Sequence, residues 1–554
     1  MLKYTVLLHE CHIVVSHSLT DDEILQIKEL LSEEFSLFTI AFNYIYTIDA
    51  VLVDILHTAL ENKKIEITVN KSRLSKYLNL LGIKSVFVSD LSGLKVLNPN
   101  AYVLAIGGSA NSSAKIIEIL SSIDTRKYII FIIQHIDPEK DAYFDKILQE
   151  YVQSKVSYVY DGMKIQKAHI YIASKNKHML VKDSKIYLSD TEALHYARPS
   201  ISASFNSISE AYKENLVALL TCGYADDGVD SLNYLKHNRS SILIQNPKEC
   251  EADSIPLEAI GHHIYDYVLE TQDIVRYIST LGMNFTSNEQ WIEYLLEEVF
   301  YKYEYDFRKY QIDSISRRVK LFMIKHRFHD IKRVIILTLV NKAVFKSLFL
   351  DLSINVTEFF RDIPSSKKMI EILQEEYKNA YNIKIWSAGC SSGEEVYSTA
   401  IILNELNLLK KSIIYATDFN PIIIEEARNG IFPFNKYKKG KEAYAKLNLN
   451  SRFENYFRIN RKFVKIDDDT RQNILFFVHN LEKDSVFNEF DIIECKNVMI
   501  YFNEELKQNI FHMFYESLKF GGHLFLGTSE VLPANFQNKF LQYSNECKIY
   551  KKVS

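Results

Sequence analysis

Three residue types that together hydrolyse esters stand at strand ends in the first half of this chain. Ser109 follows Gly107-Gly108 at the end of the apolar run Tyr102–Ile106, and a helix-compatible segment begins at Ser113. A nucleophile on such a strand-to-helix turn is lifted above the sheet edge, near the positive end of a helix. Glycines permit the crowded backbone, and nearby N–H groups can stabilise an oxyanion. The run Phe131–Gln134 ends in His135, with Pro138 beyond it. Leu216–Leu220 leads through Thr221-Cys222-Gly223-Tyr224-Ala225 into Asp226-Asp227-Gly228. Catalytic groups of open α/β sheets gather at the carboxyl ends of strands. Ser109, His135 and Asp227 thus match nucleophile, base and orienter. Singly, each has a plainer reading, such as a serine cap or a core histidine; three together favour catalysis.

A second constellation lies in the rear half. The short strand Ile383–Trp386 enters Ser387-Ala388-Gly389-Cys390-Ser391-Ser392-Gly393-Glu394-Glu395, and Val396–Leu406 has helical periodicity. Glycines 389 and 393 let a ligand approach the backbone between strand and helix. The next strand, Ile413–Thr417, ends in Asp418, where a carboxylate commonly holds ribose hydroxyls. A Gly-x-x-x-Gly spacing by itself is only a tight turn; the acidic end of the following strand gives it meaning. No G-x-x-x-x-G-K-[ST] phosphate loop occurs in this stretch. A ligand with a ribose and little negative charge, such as adenosylmethionine, fits better than a nucleoside triphosphate.

Sheets and helices must position these groups, and the composition allows them. The chain has 554 residues, 47% hydrophobic and 25% charged, so it buries real cores and is not dominated by disorder. Its 66 basic and 70 acidic side chains nearly cancel, leaving no field for non-specific binding to nucleic acid or acidic lipid. The six cysteines form no C-x-x-C pair, so reduced buried thiols are expected rather than a disulfide framework, and no metal site is expected. No apolar run approaches the ~18 residues of a membrane helix, and His9, Glu10 and His12 interrupt the start where a secretory segment needs an apolar core. A cytoplasmic protein without membrane insertion is expected. Residues 1–97 alternate β-branched runs with helical patterns, a second strand–helix block runs to about 283, and 286–350 carries helical periodicity alone. Strand signals return from Lys384 to the end.

The first constellation resembles a known family. Ala105–Ser109, Ile132–His135 with Pro138, Ala168–His178, Arg198-Pro199-Ser200, Leu219–Gly228 and Ile242–Ile260 occur in the order of the chemotaxis protein-glutamate methylesterase, CheB. The resemblance implies hydrolysis of glutamyl methyl esters by Ser109, His135 and Asp227. The family usually follows its serine with Thr-Gly-Gly, where this chain has Ala110-Asn111-Ser112, and has Met and Gly where Tyr224 and Ala225 stand. Backbone N–H groups of Ala110 and Tyr224 are the expected oxyanion donors, since those need no particular side chain.

The second constellation resembles CheR, the chemotaxis receptor methyltransferase. Tyr305–Arg318, Ser353–Asp362, Trp386–Tyr397, Ala416–Asp418, Asn480-Leu481, Asp491–Phe502 and Gly521–Glu530 carry that likeness. It implies S-adenosyl-L-methionine as cofactor, surrounded by Asn355, Thr357, Arg361, Glu395, Asp418, Asn480, Leu481, Lys496 and Asn497. Arg361 and Tyr501 are the implied catalytic residues, near the acceptor glutamate. Family members often have Arg at Lys496 and Pro at Val396.

The expected fold is multidomain α/β. It comprises a small α/β regulatory module at 1–97, STAS-like or a degenerate receiver, and a doubly wound, mostly parallel methylesterase sheet at 98–284. An all-helical methyltransferase subdomain at 285–350 and a Rossmann-like class I methyltransferase sheet at 351–554 complete it. In a receiver, Asn70 would stand where an Asp must accept phosphate, which disfavours aspartyl phosphorylation. The expected partners are methyl-accepting chemoreceptor-like proteins with acidic helices, met by Arg317, Arg318, Lys320, Lys325 and Arg327. Lys436, Lys438, Lys439, Lys441 and Lys446 form a second basic segment, either a receptor contact or a solvated loop. A regulatory partner would bind through 1–97, and nucleic acid is not expected. The alternative function is a signalling scaffold with one or both sites inactive.

Overall fold

The computed structural model describes residues 98–109, 111–135, 143–192, 197–353, 357–459, 464–544 and 546–554, with five strands and four helical positions before residue 97. Two compact units emerge. One comprises Leu91–Arg308 and Ser316–Leu348; the other comprises Met1–Asp90, Lys309–Ile315 and Phe349–Ser554.

Strands β1 (Lys3–Leu7), β2 (Glu10–Val15), β3 (Leu37–Phe42), β4 (Ile65–Val69) and β5 (Ser85–Phe87) form a sheet in that same order. β1 pairs antiparallel with β2 and the others run parallel. A receiver has the order 2-1-3-4-5, which this sheet does not have. Asn70 lies outside the described residues.

The front unit holds seven parallel strands: β6 (Val103–Gly108), β7 (Ile129–Gln134), β8 (Lys155–Tyr158), β9 (His169–Ile172), β10 (Leu216–Leu220), β11 (Ser241–Gln245) and β12 (Tyr267–Leu269). Their order is β12-β11-β10-β6-β7-β9-β8. β6, β7 and β10 are buried at every position, as continuous apolar runs covered on both faces must be. Helices α1 (Ser112–Ser121), α2 (Ile201–Tyr212) and α3 (Thr271–Gly282) belong to this unit. Phe131 and Phe205 are fully buried in its core; truncating either to Ala costs about 3–5 kcal/mol. The chain moves outward from β6 through β7 and returns to place β10 on the other side of β6, so a crevice opens at their carboxyl ends. Met163–Lys164, His178–Lys182 and Lys185–Ser189 add a small antiparallel sheet that hydrophobic patterning does not announce.

Helix α4 (Asn288–Tyr303) starts at a capping box, in which Ser287 and Gln290 bond each other's backbone N–H. Then come α5 (Ile312–Lys325), α6 (Ile331–Val340) and α7 (Lys342–Leu352). The periodic stretch 331–349 is two helices, broken at Asn341, whose side chain accepts from the N–H groups of Ala343 and Val344. Most of this helical stretch groups with the front unit. Arg276 and Asp273 of α3 pair with Glu298 and Lys302 of α4 at 3.4 and 2.5 Å.

The rear sheet has β13 (Ile383–Ala388), β14 (Ser412–Asp418), β15 (Ile474–Val478), β16 (Phe490–Cys495), β17 (Leu518–Leu526), β18 (Phe540–Ser544) and β19 (Ile549–Lys552). Their order is β15-β14-β13-β16-β17-β19-β18. The first five strands are parallel, and the final hairpin is antiparallel. The order reverses at β13, between β14 and β16, which again places a crevice at strand carboxyl ends. Trp386 is fully buried among Phe490, Phe514 and His479. Among the described residues no helix is long and apolar enough to cross a membrane.

One expectation about cysteines is overturned. Cys222 and Cys250 are joined by a disulfide, their Cα atoms 5.3 Å apart, whereas Cys390, Cys495 and Cys547 are free and buried. The two residues are far apart in sequence and meet only because β10 and β11 are neighbours, each followed by a loop on the same sheet edge.

Candidate active sites

In the front crevice, strand pairing sets the backbone first. Thr221 N–H donates to the Gly107 carbonyl at 2.8 Å, and His135 N–H to the Gly108 carbonyl at 3.2 Å. Ser109 N–H donates to the Cys222 carbonyl at 3.0 Å, so the nucleophile turn hangs on the loop after β10. Gly223 allows that approach, because a Cβ there would stand 2.6 Å from the Ser109 Cβ. Asn111, at φ 63°, caps α1 in the left-handed region, and Ser112 Oγ donates to the Ser109 carbonyl at 2.6 Å.

The three side chains meet. His135 Nδ1 lies 3.2 Å from Ser109 Oγ, and His135 Nε2 lies 2.8 Å from Asp227 Oδ2. The carboxylate accepts only if Nε2 carries the proton, which leaves the Nδ1 lone pair facing the serine hydroxyl. Asp227 is 1% exposed, whereas Asp226 is exposed. Asp227 sits at the start of α2, where its oxygens accept from Ser200 Oγ (3.0 Å), Ile201 N–H (2.7 Å) and Ser202 N–H (3.1 Å). Burial opposes its charge, but the bonds from His135, Ile201 and Ser202 outweigh burial and hold the carboxyl below its usual range. Ser200 and Ser202 carry no chemistry in the linear pattern; a Ser-x-Ser pair at a helix start is the signal that marks them. Tyr224 is exposed, and Ala225 adopts φ 66°, a conformation that glycine takes at no steric cost. Ala110 and Pro138 lie outside the described residues.

In the rear crevice, Gly389 and Gly393 have φ of 74° and 93°. A Cβ on Gly389 would stand 2.5 Å from Val498 Cγ2, which makes glycine obligatory there. The N–H groups of Gly389 and Cys390 both donate to the Thr417 carbonyl at 2.8 Å, folding the loop over the end of β14. Helix α8 (Glu394–Glu405) follows.

A cavity opens there, at the carboxyl ends of β13 and β14. Thr357, Glu395, Asp418, Asn480, Leu481, Lys496, Asn497 and Tyr501 line it. Arg361 is exposed and lines a smaller neighbouring cavity with Glu395 and Lys496, while Asn355 lies outside the described residues. Asp418 is buried at the end of β14, its oxygens accepting from the N–H groups of Ser391 and Asn420, both at 3.0 Å. Burial pushes its pKa up to about 6. Burial likewise takes Glu395 up to about 7, although Lys496 stands 3.8 Å away. Lys496 is 2.8 Å from Glu494. Burial opposes its ammonium, but Glu494 and Glu395 outweigh that and hold it above the ordinary lysine range.

Three buried polar atoms on this cavity have no protein partner among the described residues: Thr357 Oγ1, Ser391 Oγ and His479 Nδ1. Orphaned polar groups at a cavity wall await a ligand's hydrogen bonds. With the carboxylates of Asp418 and Glu395 they suit a ligand that has hydroxyls, ring nitrogens and positive charge, which is the chemistry of S-adenosylmethionine. Ser391 and His479 escape the sequence reading, because each looks like an ordinary loop or strand-end residue. The second basic segment is largely paired: Lys436 bonds Glu394, Lys441 bonds Glu454, and Lys439 lies 2.9 Å from Glu358.

Comparison with known proteins agrees with both halves. The family described as CheB methylesterase matches residues 104–278, and the CheR methyltransferase, SAM binding domain, matches residues 355–549. A Pseudomonas putida protein named as a methyltransferase, Cher3, is 34% identical over 47% of this chain and 96% of its own length. A Leptospira interrogans protein named as a protein-glutamate methylesterase/protein-glutamine glutaminase is 30% identical over 33% of this chain and 97% of its own. The crystal structure of the Thermotoga maritima CheB methylesterase catalytic domain is similar over 32% of this chain and 98% of that one, at 19% identity and a TM-score of 0.30. With a Ser109–His135–Asp227 relay in its front half and a cavity around Asp418 in its rear half, the chain belongs to two families at once, CheB methylesterase and CheR methyltransferase.

Proposed function

We propose that the two sites act on the same class of substrate, glutamate side chains on the helices of methyl-accepting chemoreceptor-like proteins. The rear site adds the methyl group and the front site removes it, in the cytoplasm. In this reading 98–284 is the methylesterase, 285–350 the helical subdomain and 351–554 the methyltransferase. Residues 1–97 are a STAS-like module that binds a regulatory partner.

At the front site, His135 Nδ1 takes the Ser109 proton as Oγ attacks the ester carbonyl. Asp227 stabilises the imidazolium, and backbone N–H groups of Tyr224 and Ala110 take the oxyanion charge. Collapse of the tetrahedral species expels methoxide, which takes the proton from His135 and leaves as methanol. Water, deprotonated by the same ring, then attacks the acyl-serine and frees the glutamate. The observation that carries this reading is the relay itself, 3.2 Å from Ser109 to His135 and 2.8 Å on to a buried Asp227. Ser109→Ala should abolish methanol release from methylated receptor; unchanged release would overturn it.

At the rear site, S-adenosylmethionine supplies an electrophilic methyl group. Asp418 holds its ribose, and Thr357, Glu395, Asn480, Leu481, Lys496 and Asn497 enclose it, with Asn355 as a further contact. Arg361 and Tyr501 orient the acceptor glutamate. That carboxylate is already ionised at neutral pH, so no strong base is needed; in-line positioning and loss of its water carry the rate. The buried Asp418 at the end of β14 supports this most directly. Asp418→Ala should weaken S-adenosylmethionine binding at least tenfold by calorimetry, and intact affinity would overturn the assignment.

A further inference from the structure

A single carboxylate holds the backbone that forms one wall of the rear cavity. Asn497, Val498 and Met499 follow β16, and their three N–H groups converge on Glu530. Asn497 N–H donates to Oε2 at 3.0 Å, and Val498 and Met499 N–H donate to Oε1 at 2.9 and 2.8 Å. Gly527 N–H donates to Oε2 at 2.7 Å. Asn497 adopts φ 59°, and such a left-handed residue turns successive N–H groups toward one anion. Glu530 is 4% exposed, and burial raises its pKa against the pull of the four N–H groups. It does not itself line the cavity, but Asn497, Val498 and Tyr501 do. Val498 also closes against Gly389 of the glycine loop.

We infer that Glu530 is a positioning residue for methyl transfer: its carboxylate fixes the segment 497–501 and, through it, Asn497 and Tyr501 against the cofactor cavity. Shape alone does not suffice. A Gln of the same size offers one acceptor oxygen, and whichever way its amide lies, the NH₂ opposes two N–H donors. Gly527 is equally committed, because a Cβ there would stand 2.7 Å from Asn497 N and 2.9 Å from Glu530 Oε2. This inference rests on the methyltransferase reading of the rear site and adds to it a residue outside the cavity wall.

The test uses the full chain with Glu530→Gln, Glu530→Asp and Gly527→Ala. S-adenosylmethionine is titrated by calorimetry, so that stoichiometry counts competent sites and Kd reports their geometry. Glu530→Gln and Gly527→Ala should weaken Kd at least tenfold per competent site and slow methyl transfer to receptor membranes, and Glu530→Asp should recover part of both. A merely structural glutamate would lower the melting temperature and the stoichiometry while leaving Kd and per-site rate unchanged, and that result overturns the inference. If Glu530→Gln does not fold, Gly527→Ala and Glu530→Asp decide on the same scale. Failure of the wild type to bind S-adenosylmethionine is a separate result that removes the methyltransferase reading and this inference together.

Discussion

Replacing Asp227 by Asn tests the front site most sharply, because the carboxylate is fully engaged. Its Oδ2 accepts from His135 Nε2 and Ile201 N–H, and its Oδ1 accepts from Ser200 Oγ and Ser202 N–H. An amide nitrogen at the Oδ2 position faces the ring and forces the His135 proton onto Nδ1. The lone pair opposite Ser109 Oγ is then lost. An amide nitrogen at the Oδ1 position opposes Ser202 N–H and still removes the charge that stabilises the imidazolium. Either arrangement should lower kcat by about four orders of magnitude, about 5.5 kcal/mol of transition-state stabilisation. The assay follows methanol released from receptor membranes carrying a base-labile methyl label, with Ser109→Ala as the inactive reference. Asp226→Asn, one residue away but exposed, should leave the rate within a factor of about two. A Asp227→Asn loss of less than tenfold, or an equal loss in Asp226→Asn, would refute the relay.

Further outcomes follow from particular groups. Asp418 and Glu395 have folded pKa values of about 6 and about 7, above their ordinary values. The folded state therefore binds protons more tightly, and the ligand-free stability of the rear unit should fall as pH rises from about 4 to about 7, by up to ~3 kcal/mol per group; a urea midpoint that rises across this window would contradict the burial. Ala225→Gly should relieve a left-handed alanine and stabilise the front unit by about 0.5–1 kcal/mol in urea unfolding; a loss of 1 kcal/mol would argue against the loop conformation. Cys250→Ser opens a link that spans a sequence separation of 28 and should cost the front unit about 3–4 kcal/mol. Thiol titration of the denatured, unreduced chain should find two fewer thiols than in the reduced chain, and equal counts would exclude the bond.

Much of the architecture is legible in the linear pattern. Leu216–Leu220 is a strand over the range its apolar run predicts, because strands covered on both faces leave an unbroken apolar signature. The strands Met163–Lys164 and Phe540–Ser544 leave no such mark, being short or half exposed. Helical periodicity over 331–349 hides the break at Asn341, since both helices bury apolar side chains at the same spacing. The likeness to a helical methyltransferase subdomain also says nothing about which body the helices join. Their ion pairs to α3 are contacts between residues of no special type, and no local pattern encodes them.

The sequence by itself determined which chemistries are present: hydroxyl, imidazole and carboxyl at three strand ends, and a glycine turn followed by an acidic strand end. Those features are local, fixed by the order of residues where a strand stops. Only the tertiary structure decided which groups meet. It buries Asp227 under the start of α2 and leaves Asp226 in solvent, joins Cys222 to Cys250, leaves Ser391 and His479 with unpaired atoms at a cavity wall, and gathers four N–H groups onto Glu530. Each of these depends on the strand order in which β6 and β13 lie inside their sheets, and pairing between residues so distant is set by packing and burial rather than by neighbours in the chain.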